Sequence, residues 1–167
     1  PGYRLRAIGN SRLFIEGSGS SVQRTNTADF SFLSTATIDN TAPSSLVSAQ
    51  SLNQGSMRFR ANEPVIISIN ATWTGDVQSA GAQSTAAAAL SINAIGAREF
   101  LFETIDFAGN GEQSASRTVV FDDVGFLGEV LSLGFISSAA VIPGLDGSTG
   151  DASSALDITV DVRAIPL

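Results

Sequence analysis

The chain of 167 residues contains no cysteine, no histidine and no lysine. Without cysteine there are no disulfides and no thiolate metal sites. Without histidine as well, the usual zinc, copper and non-haem iron sites lose their ligands. Ca²⁺, which takes carboxylate and carbonyl oxygens, is the one cofactor the composition leaves room for. The missing lysine excludes a Schiff base, a P-loop and a lysine–asparagine isopeptide cross-link. Serine is plentiful, but no histidine or lysine stands ready to activate it, so no catalytic signature is expected and the chain reads as a non-enzyme. Long apolar runs are missing too: Ala86 to Leu90 falls far short of a membrane span. Sixteen Asp and Glu face nine basic residues, all of them Arg and scattered, for a net charge of −7. That balance argues against nucleic acid and against anionic membrane surfaces as partners.

What is present is alternation. In Leu156-Asp157-Ile158-Thr159-Val160-Asp161-Val162-Arg163, every second residue is aliphatic, which puts one dry and one wet face on a strand. Val65, Ile67, Ile69, Ala71 and Trp73 do the same, with Trp73 as a large core anchor. Shorter runs at Tyr3 to Ile8, Arg12 to Glu16, Asp29 to Ile38, Met57 to Ala61, Ala88 to Ala94, Ser116 to Phe121 and Val130 to Ile142 read as further strands. Arg98 to Phe107 is apolar at both parities, as for a strand covered on both faces. Gly9-Asn10, Gly17 to Ser21, Thr74 to Gln83, Gly109-Asn110-Gly111 and Asp122 to Gly125 read as turns or loops, and Gly134 as a bulge. Pro143 to Asp151 reads as a long loop. Ser44 to Ser56 suits either a helical turn or an irregular crossing.

Together these runs predict a single all-β domain over 1–167, an antiparallel β-sandwich of jelly-roll-like form with about eight to ten strands. A chain of this length buries about 70% of its unfolded surface without staples.

The candidate sites are few. Asp146 and Asp151 bracket Gly147-Ser148-Thr149-Gly150, an oxygen-rich loop of the kind that wraps Ca²⁺, though not with EF-hand spacing. Two carboxylate pairs, Glu99 with Glu103 and Asp106 with Glu112, are candidates for glycosidase chemistry, but Glu99 and Glu103 share a strand face about 13 Å apart, too far for an acid–base pair, and surface roles suit them better. Asn70-Ala71-Thr72 fits a glycosylation acceptor on a predicted strand. Trp73 and Tyr3 are the large aromatics with a polar edge, and ten Phe point to core.

The cleanly alternating ends suggest strand addition between subunits. Tyr3, Leu5 and Ala7 at one end, or Ile158, Val160 and Val162 at the other, would enter a neighbour's sheet, with residues 1–10 as the exchangeable strand. At Val162-Arg163-Ala164-Ile165-Pro166-Leu167 the acidic, Phe- and Ser-rich chain resembles secreted bacterial proteins with PEP-CTERM-type sorting tails, in the variant with a Val-Pro-Leu-Pro-Ala signature. Only Ile165-Pro166-Leu167 of that motif is present, with Ile for Val. The resemblance implies export, with a leader before Pro1, processing near Leu167, and a structural or adhesive role in an extracellular matrix or on the cell surface. Two functions are therefore expected of the sequence. The first is a non-enzymatic extracellular subunit of a homo-oligomer or homopolymer. The alternative is a polysaccharide-binding β-sandwich, Ca²⁺-assisted, with Trp73 exposed on a concave face.

Overall fold

The computed structural model describes residues 3–19, 24–40, 48–61, 63–94, 97–126, 128–142, 144 and 147–165, with 3–19, 24–26, 40, 59, 92–94, 97–102 and 131 as backbone alone. Seven strands account for nearly all of them: β1 (Tyr3–Gly19), β2 (Arg24–Asn40), β3 (Ala49–Arg60), β4 (Val65–Ala94), β5 (Ala97–Gly125), β6 (Val130–Ile142) and β7 (Thr149–Ala164). All pairings are antiparallel, in the order β1-β2-β7-β4-β6-β3, and β5 lies along β4.

The 30-residue β4 organises the sheet. Its first half pairs with β7 from Val65↔Ala164 to Gly81↔Thr149, and its second half pairs with β6 from Gln83↔Ile142 to Asn93↔Ser132. The change of partner falls where the register shifts at Ala80 to Ala82. An extra residue bends a strand and sharpens its twist. Gly81 takes φ 69° there, a conformation that costs glycine nothing, and Asn110 Oδ1 accepts the Gly81 N–H at 3.0 Å. The sheet thus folds over, and the inner face of β2 meets that of β6. Phe30 and Phe32 stand 4.9 and 4.7 Å from the Phe135 ring, centroid to centroid. Phe135 also lies where a Cβ on its cross-strand partner Gly55 would be, so only glycine admits the ring at that position. The end strands β1 and β3 approach each other, which brings the folded sheet close to a barrel.

A buried polar seam joins the two halves. Trp73 Nε1 donates to Ser154 Oγ at 3.0 Å, and Ser154 Oγ donates to the Ala87 carbonyl at 2.8 Å. Ser137 Oγ reaches the Ser154 carbonyl at 2.8 Å, and Ser34 Oγ donates to the Ser137 carbonyl at 2.9 Å. Asn53 Nδ2 closes the chain on Ser34 Oγ at 3.0 Å. Each hydroxyl is satisfied, so the seam fixes how the halves sit without leaving an orphaned buried group.

Several sequence expectations hold. Val65, Ile67, Ile69, Ala71, Trp73, Leu156, Ile158 and Val160 are all buried, and Asp157 between them is exposed. Others need correction. The described residues form seven strands, not eight to ten, because runs read as separate are joined. Gly9-Asn10 lies inside β1, Thr74 to Gln83 inside β4, and Gly109-Asn110-Gly111 and Asp122-Asp123 inside β5. Gly134 pairs in unbroken register with Ser56 and Ser91, so the irregularity sits at Ala80 to Ala82 instead. In β5, Ile105 is buried while Thr104 and Asp106 are exposed, so this segment is not covered on both faces; β5 borders β4 on one side only. Residues 49–56 belong to β3, and 44–47 lie outside the described residues.

The residues expected to join subunits lie on two strands. Ile158 and Val160 are 1% exposed, and Val162 packs partly against the same core. Their strand is bonded on both edges, by β2 and β4, and offers no edge to a neighbour. Tyr3, Leu5 and Ala7 sit on β1, which pairs with β2 of its own chain; their side chains lie outside the described residues.

Candidate functional site

Four neighbouring strands turn one face outward together, and the period of two decides what that face carries. Through matching registers, Thr35, Ser153, Asp76 and Ser114 form one cross-strand row, and Thr37, Asp151, Gln78 and Glu112 form the next. These residues line an open cleft of about 600 Å³. Strands in a sheet are spaced about 4.8 Å apart, so each row sets four polar side chains at nearly equal intervals. Opposite parity on the same strands gives the core: Ala36, Ala152 and Val77 are buried beneath the cleft.

The chemistry of the lining is hydroxyl, amide and carboxylate. Asp76, Glu112 and Asp151 are exposed and have no hydrogen-bond or ion-pair partner among the described residues. Further along the same face two carboxylates are engaged: Thr159 Oγ1 donates to Asp29 Oδ1 at 2.7 Å, and Thr27 Oγ1 donates to Asp161 Oδ1 at 2.5 Å. The cleft gathers three carboxylates that are free to accept bonds from something else, and Asp122 and Asp157 on the same face are likewise exposed and without a partner among the described residues. No arginine is among its lining residues.

Of the sequence candidates, Asp151 lies in the cleft, flanked by Thr37 and Gln78 rather than by carboxylates, and Asp146 lies outside the described residues. No group of three or more acidic side chains is placed to hold a metal ion among the described residues. Asp106 and Glu112 stand on the exposed side of β5, and Glu103 instead pairs with Arg117 at 3.4 Å. Asn70 is exposed on β4. Trp73 corrects the polysaccharide expectation in its original form: it is 1% exposed and its Nε1 is bonded to Ser154, so its ring is not on offer to a sugar.

The sequence reading passed over Asp76, Gln78 and Ser114. The signal was the parity of Asp76 and Gln78, which continues that of Thr72 and Thr74 beyond the bulky core residues. Small and polar residues from Thr74 to Gln83 hid it by resembling a loop.

No family model and no curated protein matches the sequence. Among solved structures, the chain is similar to one titled "Family 16 Carbohydrate Binding Module-2", with 11% identity over 71% of this chain and 72% of the other, at a TM-score of 0.21. A structure titled "CBM4 structure and function" gives 10% identity over 74% and 66%, at 0.19. Dimeric latent PorU from Porphyromonas gingivalis gives 14% identity over 75% of this chain and 13% of that one, at 0.28. At such TM-scores these likenesses transfer no function to the chain.

Proposed function

We propose that the protein is a non-catalytic β-sandwich module of jelly-roll type that binds polysaccharide in the cleft across β2, β7, β4 and β5. The observation that carries this reading is the pair of cross-strand rows, in which hydroxyls, an amide and three unengaged carboxylates converge on one open groove. Sugar hydroxyls both donate and accept hydrogen bonds. Carboxylates are strong acceptors for them, and Thr, Ser and Gln supply donors and acceptors together. A groove running over several strands suits a polymer better than a compact ligand. Because its large aromatic is in the core, the module would hold sugar through hydrogen bonds instead of ring stacking. Export to the cell surface or matrix accompanies this reading, as the carboxyl-terminal resemblance implies.

Native gels cast with soluble neutral glycans test it. Migration slowed by at least one glycan, and restored by Gln78→Ala, is the expected result. Unchanged migration in every gel, with no heat on titration, overturns the reading.

A further inference from the structure

The long strand β5 is bonded along one edge only. Its 29 residues pair with β4, and no other strand borders it among the described residues. A free edge presents a row of unpaired N–H and C=O groups, and folded proteins usually guard it with lysine, proline, a bulge or short length. From Ser114 to Gly125 this edge has no Pro, Lys or bulge, the register with β4 being unbroken from Val65↔Gly125 to Ala80↔Asn110, and its charged side chains are Arg117, Asp122 and Asp123. Apolar side chains run beside it instead. Val120 is 67% exposed, and Val124, its cross-strand neighbour Ile66, and Phe126 are exposed as well.

We propose that this edge pairs with the same edge of a second copy of the chain, antiparallel, about a two-fold axis at Val120. Register supplies the argument. The inner and outer faces of two copies match only if residues of the same parity oppose one another. Among such registers, the one centred on Val120 sets Arg117 opposite Asp123 twice, once on each side of the axis. It also sets Val119 opposite Phe121, both partly buried against the core of their own copy, and Ser116 opposite Val124. Moving the centre by one residue in either direction leaves Arg117 facing Phe121 or Gly125 and loses both charge pairs. Arg117 is 62% exposed and holds Glu103 at 3.4 Å, and a guanidinium with five N–H donors serves both carboxylates. The dimer joins β1-β2-β7-β4-β5 of one copy to the same strands of the other, with both clefts on one continuous face. This contact stands independently of what the clefts bind.

Sedimentation velocity of the full chain over a concentration series tests it, with thermal unfolding of each variant as the check on folding. The expected result is a dimer that dissociates on dilution. Arg117→Asp and Asp123→Arg should each weaken it by about tenfold or more, because like charges then face each other on both sides of the axis. The double variant Arg117→Asp with Asp123→Arg should recover most of the loss. Asp123 Oδ1 also accepts the Val124 N–H at 2.7 Å, so recovery in the double variant separates pairing from local damage. Should the single variants fail to fold, Val120→Asp at an exposed position places two like charges on the axis and should abolish the dimer. A chain that stays monomeric at every concentration, as when the edge serves a strand from a different protein, overturns the proposal. So does a dimer indifferent to Arg117→Asp and Val120→Asp, or a charge swap of folded variants that fails to restore it.

Discussion

The two halves of β4 belong to one strand and do different work. From Val65 to Ala80 the inward residues are mostly large, Val65, Ile67, Ile69, Trp73 and Val77, and the outward ones include Thr72, Thr74, Asp76 and Gln78. From Ala82 to Leu90 the inward residues are Ala82, Ser84, Ala86, Ala88 and Leu90, small but for the last, and the outward ones are Gln83, Thr85, Ala87 and Ala89. The first half supplies bulk to the core and polarity to the cleft. The second half supplies little of either, and what it offers is room. Ala87 can give its carbonyl to Ser154 because nothing large stands between the facing parts of the sheet. A strand that folds back over its own continuation needs one bulky stretch and one thin one, since two bulky stretches would overfill the space between them.

The comparison can be broken from the bulky side first. Trp73→Ala removes the largest buried side chain and a partner of the Ser154 seam, and should cost about 3–5 kcal/mol, read as a lower urea midpoint. The thin side should fail in the opposite sense. Ala88→Leu inserts volume where Ala88 is 1% exposed, and a loss of about 1–3 kcal/mol is expected from overpacking. A similar substitution at the outward, half-buried Ala89 should cost much less, which would show that the inner spacing is what matters.

Outward residues of the bulky half and of β7 beside it sharpen the contrast through binding. Asp76→Ala and Asp151→Ala should each reduce glycan affinity by about tenfold while moving unfolding free energy by less than about 0.5 kcal/mol, because neither carboxylate has a partner to lose. Equal losses of binding and stability would show that these groups hold the fold instead. The smallest effect is expected from chelation. Asp151 is flanked by Thr37 and Gln78, so a calcium chelator should leave both the melting temperature and glycan retardation unchanged.

The strands that carry the core were plain from alternation, since most residues pointing into the interior are apolar whatever their neighbours are, the hydrogen-bonded serines of the seam excepted. Val65 to Trp73 and Leu156 to Val160 are legible for that reason. The segments misread as turns share one feature: glycine, serine, asparagine or aspartate in place of β-branched residues. Thr74 to Gln83 is extended because β7 and β5 flank β4 there and complete its backbone hydrogen bonds, a condition that no local composition records. The cleft was hidden for the same reason. Thr35, Asp76, Ser114 and Ser153 are scattered through the chain and become neighbours only through cross-strand register.

By itself, then, the sequence determined that the chain is all-β and antiparallel, which faces of its strongest strands are dry, and that thiol, imidazole and lysine chemistry are closed to it. Tertiary structure alone decided that β7 lies inside the sheet and β5 at its border, that Trp73 is tied to Ser154, and that eight polar side chains share a groove. Periodicity fixes which way a side chain points along its own strand, but partner and register are settled by long-range pairing, and both the groove and the free edge are made by that pairing.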